Sequence, residues 1–287
     1  MAVGDYPRRR EHTRANLEHW NAWTEIHEGS AFYDVQGFLA GRQTLLPIEL
    51  EELGPDVREG TTLLHLQCHF GLDTLSWARL GARATGVDFS DKAIALANRL
   101  AREVGLDGAC RFVQSNLYDL PAHLDERFDV VFTSWGVLMW LPDLTAWGQL
   151  IARYLRPGGV FYIVDFHPFV LTLDDERTDL VVGYPYLARD EPLAFESDSS
   201  YAAPEVKTAP HASYEWSHGL GEIVSALTSA GLRLDYLHEF PYCTGLVFPF
   251  LEQGDDGWLR VRGHRDDFPL SFSIKAHAGS HEDRRRR

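Results

Sequence analysis

The chain reads as an α/β protein built on a doubly wound parallel sheet, and two observations say so. From residue 61 onward, short apolar runs of strand length alternate with longer segments whose apolar residues recur every three or four positions. Those runs, such as TLLHL at 62–66 and VFYIVD at 160–165, are apolar almost throughout rather than at every second residue. Strands of that composition are covered on both faces, as when helices pack above and below a parallel sheet.

Taken in order, 1–60 reads as helical, with Leu17, Trp20, Trp23, Ile26 and His27 at three- and four-residue spacing. A further helix is expected over 45–53, ended by Gly54-Pro55. The strand at 62–66 leads through a turn to a helix over 74–80, and 84–87 is the second strand. A helix over 92–104 follows, with Ile94, Ala97, Ala101 and Val104 along one face and Ser90 as its N-cap. Strands three, four and five are expected at 111–114, 129–133 and 160–165, with a helix at 144–155 stopped by Pro157-Gly158-Gly159. The stretch 166–213 breaks the rhythm: it holds Pro168, Pro185, Pro192, Pro204 and Pro210, shows no helical period, and is too long for a bare connection, so it is expected to be a lid. Helix resumes at 220–230, strands are expected at 233–239 and 270–276, and an aromatic-rich stretch runs from 240 to 258. The organisation is therefore a helical cap over 1–60, a core over 61–165 and 214–287, and an insertion over 166–213.

Of 287 residues, 45% are hydrophobic and 24% charged, which excludes a disordered, collagen-like or coiled-coil chain. No apolar run approaches the roughly 20 residues that span a bilayer, and the N-terminal residues lack the apolar core of a signal peptide. The 27 Lys and Arg against 42 Asp and Glu leave a net charge of −15, which repels phosphate backbones and argues against nucleic acid. Arg284 to Arg287 form a short basic run that reads as a solubilising tail. Cys68, Cys110 and Cys243 are odd in number and far apart, as expected in a reducing cytoplasm. A monomer or homodimer acting on a small molecule is expected.

In an open parallel sheet, ligands bind beyond the carboxyl ends of the strands. After the first strand stands Gln67-Cys68-His69-Phe70-Gly71, and the G-x-G-x-x-G fingerprint of dinucleotide sites is missing. After the second stands Asp88, 17 residues beyond Gly71, where a carboxylate accepts hydrogen bonds from vicinal ribose hydroxyls. The bland reading of Asp88 is a helix cap, a task open to Ser90 or Asp91. Phe89 fits either an adenine face or the core. Asn116, after the third strand, both donates and accepts, as an adenine edge requires.

The series LLHLQCHFG, GVDFS, FVQSNLYDLP, FDVVFTSWGVLMWLPD and LRPGGVFYIVD resembles class I S-adenosylmethionine-dependent methyltransferases over about 61–165, and GEIVSALTSAGLRLDYL and LSFSIKA resemble the end of that fold. The resemblance implies a seven-stranded sheet in the order 3-2-1-4-5-7-6 with the last strand antiparallel, and S-adenosylmethionine as cofactor. It implies that Gln67, His69 and Gly71 surround the methionine moiety. Asp88, flanked by Phe89 and Ser90, would then hold the ribose, Asn116 and Leu117 would meet the adenine, and Ser134 and Trp135 would line the sulfonium side. The chain departs from the family pattern where His65 replaces an acid and where Gln67 and His69 replace glycines. His65 and His69 lack carboxylate or cysteine partners, so no metal is expected. The cap in such proteins often folds over the cofactor; here Trp20, Trp23, Phe32 and Tyr33 are its candidates, with Tyr33 expected near the methionine carboxylate or the substrate.

Methyl transfer is an in-line displacement at an already activated carbon, so the protein aligns the reactants and excludes water, and an amine or hydroxyl nucleophile calls for a base. His218, His167 and Glu215 are the candidates, each with a structural reading as helix cap or loop residue. N- or O-methylation of a small, flat or cationic metabolite is the expected reaction. The competing reading is a vestigial fold that binds the cofactor or regulates a partner without turnover.

Overall fold

The computed structural model describes residues 6–279, so the run Arg284 to Arg287 lies outside the described residues. The chain begins with α1 (Tyr6–Gly29), α2 (Val35–Leu39) and α3 (Pro47–Glu52). The alternating part follows as β1 (Thr62–Leu66), α4 (Leu72–Arg79), β2 (Arg83–Asp88), α5 (Asp91–Glu103), β3 (Cys110–Gln114), β4 (Phe128–Ser134), α6 (Leu144–Tyr154) and β5 (Leu155–Phe166). Local chemistry sets these boundaries. The Ser90 hydroxyl accepts the Ala93 N–H at 3.0 Å to start α5, and Asp143 accepts the Ala146 N–H at 3.0 Å to start α6. Helix α6 stops at Tyr154, ahead of Pro157, which disfavours helical backbone at the residue before it. The strand then starts at Leu155, earlier than the apolar run suggests, because Leu155 pairs with Phe128 before the register slips.

Beyond β5 come β6 (Leu193–Ser197), β7 (His211–Glu215), α7 (Leu220–Ser229), β8 (Leu232–Phe240), β9 (Leu251–Gln253), β10 (Leu259–Val261) and β11 (Ser271–Ala278). Seven strands form one sheet in the order β3-β2-β1-β4-β5-β11-β8, with β11 antiparallel to both neighbours and β1 to β5 mutually parallel. This is the expected topology, the last strand slotting between β5 and β8.

Helices cover both faces. On one, Trp147 and Tyr154 of α6 and Ile223 and Leu227 of α7 pack on Phe161 and Phe272 of the sheet. On the other, Phe38 of α2, Ile48 of α3 and Trp77 of α4 pack against Phe132 and Tyr162. A third cluster, with Val170, Leu173, Cys243, Phe250, Val261 and Leu270, joins the stretch after β5 to the one after β8.

The insertion is more ordered than its prolines suggest. Strands β6 and β7 form an antiparallel hairpin in which Phe195 opposes Ser213 and Leu193 opposes Glu215, so the boundary expected at 213 falls inside a strand. Strands β9 and β10 pair around Gly254-Asp255-Asp256-Gly257, a turn within the aromatic stretch. Helix α1 lies against β7, where Asn16 donates to the Tyr214 carbonyl and accepts the Tyr214 N–H, both at 2.8 Å. It also reaches α5, since the Ser90 hydroxyl donates to Asn21 at 2.6 Å. Cap and insertion thus make one roof above the carboxyl ends of β1, β2, β4 and β5.

Candidate active site

Between roof and sheet lies a cavity of about 910 Å³. Its floor begins at the turn after β1, where Gln67 (φ 56°), His69 (φ 50°) and Gly71 (φ 78°) are all left-handed. Such backbone costs a residue with a Cβ roughly 1–2 kcal/mol. Only Gly71 has no alternative: a Cβ there would lie 2.5 Å from the Phe112 ring. The alternating left-handed residues aim successive N–H groups toward the end of β2. The His69 N–H donates to Asp88 Oδ2 at 2.8 Å and the Ser90 N–H donates to Asp88 Oδ1 at 2.9 Å. Burial raises the Asp88 carboxyl to a pKa of about 6 against the pull of these N–H bonds. Each carboxylate oxygen keeps acceptor capacity for a ligand donor.

Phe89, Asn116 and Leu117 line the cavity beside Asp88. Asn116 Oδ1 accepts the Tyr118 N–H at 2.9 Å, which fixes the side chain and leaves its amide NH₂ as the donor on that edge. Ser90 serves chiefly as the α5 cap, its hydroxyl engaged with Asn21 and Ala93.

The side toward β4 is built differently. Gln67 donates to the Val137 carbonyl at 3.0 Å, while its Oε1 is buried without a partner. His69 Nε2 lies 2.8 Å from His27 Nδ1 in α1, and His27 Nε2 lies 2.6 Å from the Ser200 hydroxyl. Burial lowers both imidazole pKa values, so both rings are neutral at pH 7. The chain thus ties the first turn to cap and insertion through two imidazoles. His65 is buried, bonds Thr74 at 2.8 Å and is held neutral, its pKa pushed down to about 3 by burial. Tyr33 and Tyr201 share a hydroxyl–hydroxyl bond at the roof, above Phe70. Trp20, Trp23 and Phe32 also line the cavity, and Trp23 donates to the Ser199 carbonyl at 3.2 Å.

Ser134 and Trp135 end β4 on the same floor, with Trp135 left-handed at φ 36°. The residue holding this turn is one that sequence reasoning missed. Asp165, at the end of β5, accepts the N–H groups of Gly136 at 2.5 Å, Phe166 at 2.7 Å, Leu138 at 3.2 Å and Val137 at 3.3 Å. Its carboxyl is buried and raised to about 6. An acid closing an otherwise apolar strand was the available signal.

The three base candidates separate. Glu215 lines the cavity, and burial, helped by Asp175, raises its pKa to about 7. His218 also lines it, but both nitrogens are engaged: Nε2 donates to the Leu141 carbonyl at 2.7 Å and Nδ1 lies 3.1 Å from Glu222. His167 is not among the lining residues; its Nδ1 accepts the Phe169 N–H at 3.0 Å, its Nε2 lies 2.9 Å from Glu239, and burial lowers its pKa.

A carboxylate with spare acceptor capacity, an amide donor beside it and a left-handed turn offer the groups that a nucleoside such as that of S-adenosylmethionine requires. Comparison with known proteins agrees. Residues 64–163 match the model of a methyltransferase domain. Over 207 residues the chain is 28% identical to the ubiquinone biosynthesis O-methyltransferase of Xanthomonas euvesicatoria pv. vesicatoria, covering 71% of this chain and 76% of the relative. An S-adenosylmethionine-dependent methyltransferase structure from Mesorhizobium loti shares the fold at a TM-score of 0.54 and 18% identity, over 83% of this chain and 99% of the other. So does a glycopeptide N-methyltransferase complexed with S-adenosyl-L-methionine, at a TM-score of 0.51 and 17% identity, over 80% and 92%. Residues 64–163 form a methyltransferase domain, and the chain has the class I fold of S-adenosylmethionine-dependent methyltransferases. Among the described residues no helix is long and apolar enough to cross a membrane.

Proposed function

We propose that the protein methylates a hydroxyl oxygen or an amine nitrogen of a small metabolite, with Glu215 as the proton acceptor. The observation that carries this is that Asp88 and Glu215 line one cavity, the first on its floor and the second in its roof. S-adenosylmethionine supplies a methyl group already activated on a sulfonium. Asp88 accepts the ribose hydroxyls, Asn116 and the Leu117 backbone meet the adenine, and Phe89 lies along the ring. Gln67, His69 and Gly71 bend the chain around the methionine end, with Ser134, Trp135 and Tyr33 closing it. The roof of α1, β6 and β7 keeps water out, which strengthens every polar contact inside.

Glu215 suits the base because its pKa of about 7 places the proton-accepting form within reach at neutral pH. Its carboxyl is free of the bonds that occupy both nitrogens of His218. The likeness to an O-methyltransferase of ubiquinone biosynthesis supports oxygen as the acceptor, and the aromatic wall of Trp20, Trp23 and Trp140 supports a flat one. The three cysteines are free and buried, which supports a reducing cytoplasm. The net charge of −15 supports action on a small molecule without nucleic acid.

The test is incubation with methyl-labelled S-adenosylmethionine and a panel of phenols, catechols and amines, read by mass spectrometry. Labelled product from a phenol or amine is expected. A protein that binds the cofactor yet labels neither class would overturn the assignment of the acceptor.

A further inference from the structure

Two carboxyl groups on the cavity wall have no role in the account above. Glu49, in α3, is 1% exposed, yet it lines the cavity. Its Oε2 accepts the Leu46 N–H at 2.7 Å, while Oε1 and the neighbouring Trp135 Nε1 are both buried outside hydrogen-bond geometry, the indole N–H pulling down a carboxyl pKa that burial raises. Asp73, in the first turn of α4, accepts the Thr44 hydroxyl at 2.6 Å and lines the cavity two residues past Gly71. Each carboxyl is raised by burial, and Asp73 pushes Glu49 further up.

Among the described residues neither acid has an ion-pair partner. Arg42, on the same wall, is committed to Asp34 at 3.0 Å and to the Tyr33 carbonyl at 2.9 Å. His65 is neutral and bonded to Thr74. Two neighbouring carboxyls without a cation, Glu49 buried and Asp73 half-buried, are costly, and proteins keep such groups where a charged partner arrives. The rim also lacks something: position 65, at the end of β1, carries a neutral imidazole where the family carries an acid.

We propose that Glu49 and Asp73 together receive the α-ammonium at the amino-acid end of the cofactor, supplying the negative charge that position 65 does not. This rests on the reading that the Asp88 rim holds the nucleoside. One cavity runs from Asp88 past Gln67 and His69 to Asp73 and Glu49, so a ligand anchored by its ribose extends along the first turn toward both acids. A primary ammonium presents three N–H donors and no acceptor, which matches a wall where the Glu49 and Asp73 carboxyls stand together. Around Glu49 the titratable groups are Asp73, Tyr162 on β5, Tyr33 in the cap, and His65 and Arg42 along the wall.

The test is isothermal titration of the wild-type protein, Glu49→Gln and Asp73→Asn with two ligands. S-adenosylhomocysteine carries the amino-acid end; 5′-methylthioadenosine is the same nucleoside thioether without it. Both substitutions keep an oxygen for the Leu46 N–H or the Thr44 hydroxyl, so the local fold is retained. We expect each variant to bind S-adenosylhomocysteine about 10–100-fold more weakly, the scale of losing a bond to a charged group, with 5′-methylthioadenosine affinity unchanged. Equal losses for both ligands, or unchanged S-adenosylhomocysteine affinity in both variants, would overturn the inference while leaving the nucleoside reading intact. A wild-type protein that binds neither ligand removes the nucleoside reading and this inference with it.

Discussion

The two halves of the cavity rim are built on different principles. On the β2–β3 side, short backbone-anchored side chains present a polar edge: Asp88 is fixed by two N–H groups and Asn116 by one. Apart from the His69 N–H, which comes from the turn after β1, each anchor lies two residues from the side chain it holds. On the β1–β4 side, the first turn is tied to distant chain: Gln67 to Val137, His69 to His27, and Tyr33 to Tyr201. The edge proposed for the nucleoside depends on the sheet and its turns alone, whereas the opposite wall forms only once cap and insertion have closed over the core.

The comparison breaks most visibly at Glu215, in the roof. Glu215→Gln is expected to lower kcat by about 10²–10⁴-fold while leaving cofactor affinity near wild type. The raised pKa sets the sign of the pH profile: the base works deprotonated, so kcat rises as pH passes upward through about 7, and the variant loses that limb. A cofactor titration beside steady-state kinetics checks both points. A smaller effect tests why one of three left-handed positions stayed glycine. Gly71→Ala places a Cβ 2.5 Å from Phe112 at φ 78°, and should cost about 3 kcal/mol in urea unfolding. His69→Gly, where backbone strain is relieved as the His27 link is lost, should cost under about 1 kcal/mol.

On the nucleoside side, Asp88→Ala is expected to weaken S-adenosylmethionine binding by about 1–3 kcal/mol, measured by calorimetry. Unchanged affinity would remove Asp88 from the ribose site and with it the contrast between the halves. The smallest effect belongs to His218. Its two nitrogens brace the segment after β4 against α7, so His218→Gln should change kcat by less than about threefold, and its cost should appear in thermal stability. A loss of turnover as large as that of Glu215→Gln would reverse the roles given to the two residues.

Amino-acid order by itself determined the strand–helix alternation, the Ser90 cap and the position of Asp88 at the end of a strand. Each depends on residues close together in the chain: apolar runs, a helix start, and an acid where a strand ends. It also exposed the odd first turn, since Gln67 and His69 stand where glycines were expected. What it did not contain was the company those residues keep. Only tertiary structure paired His69 with His27, set Asp165 under the turn after β4, engaged both nitrogens of His218 and left Glu215 facing the cavity. Only tertiary structure brought Glu49 of the cap beside Asp73 of the core. The reason is physical: helix and strand signals come from contacts within a few residues, whereas a side chain's burial, its hydrogen-bond partners and hence its pKa are set by segments that meet only when the sheet has closed and the roof has settled on it.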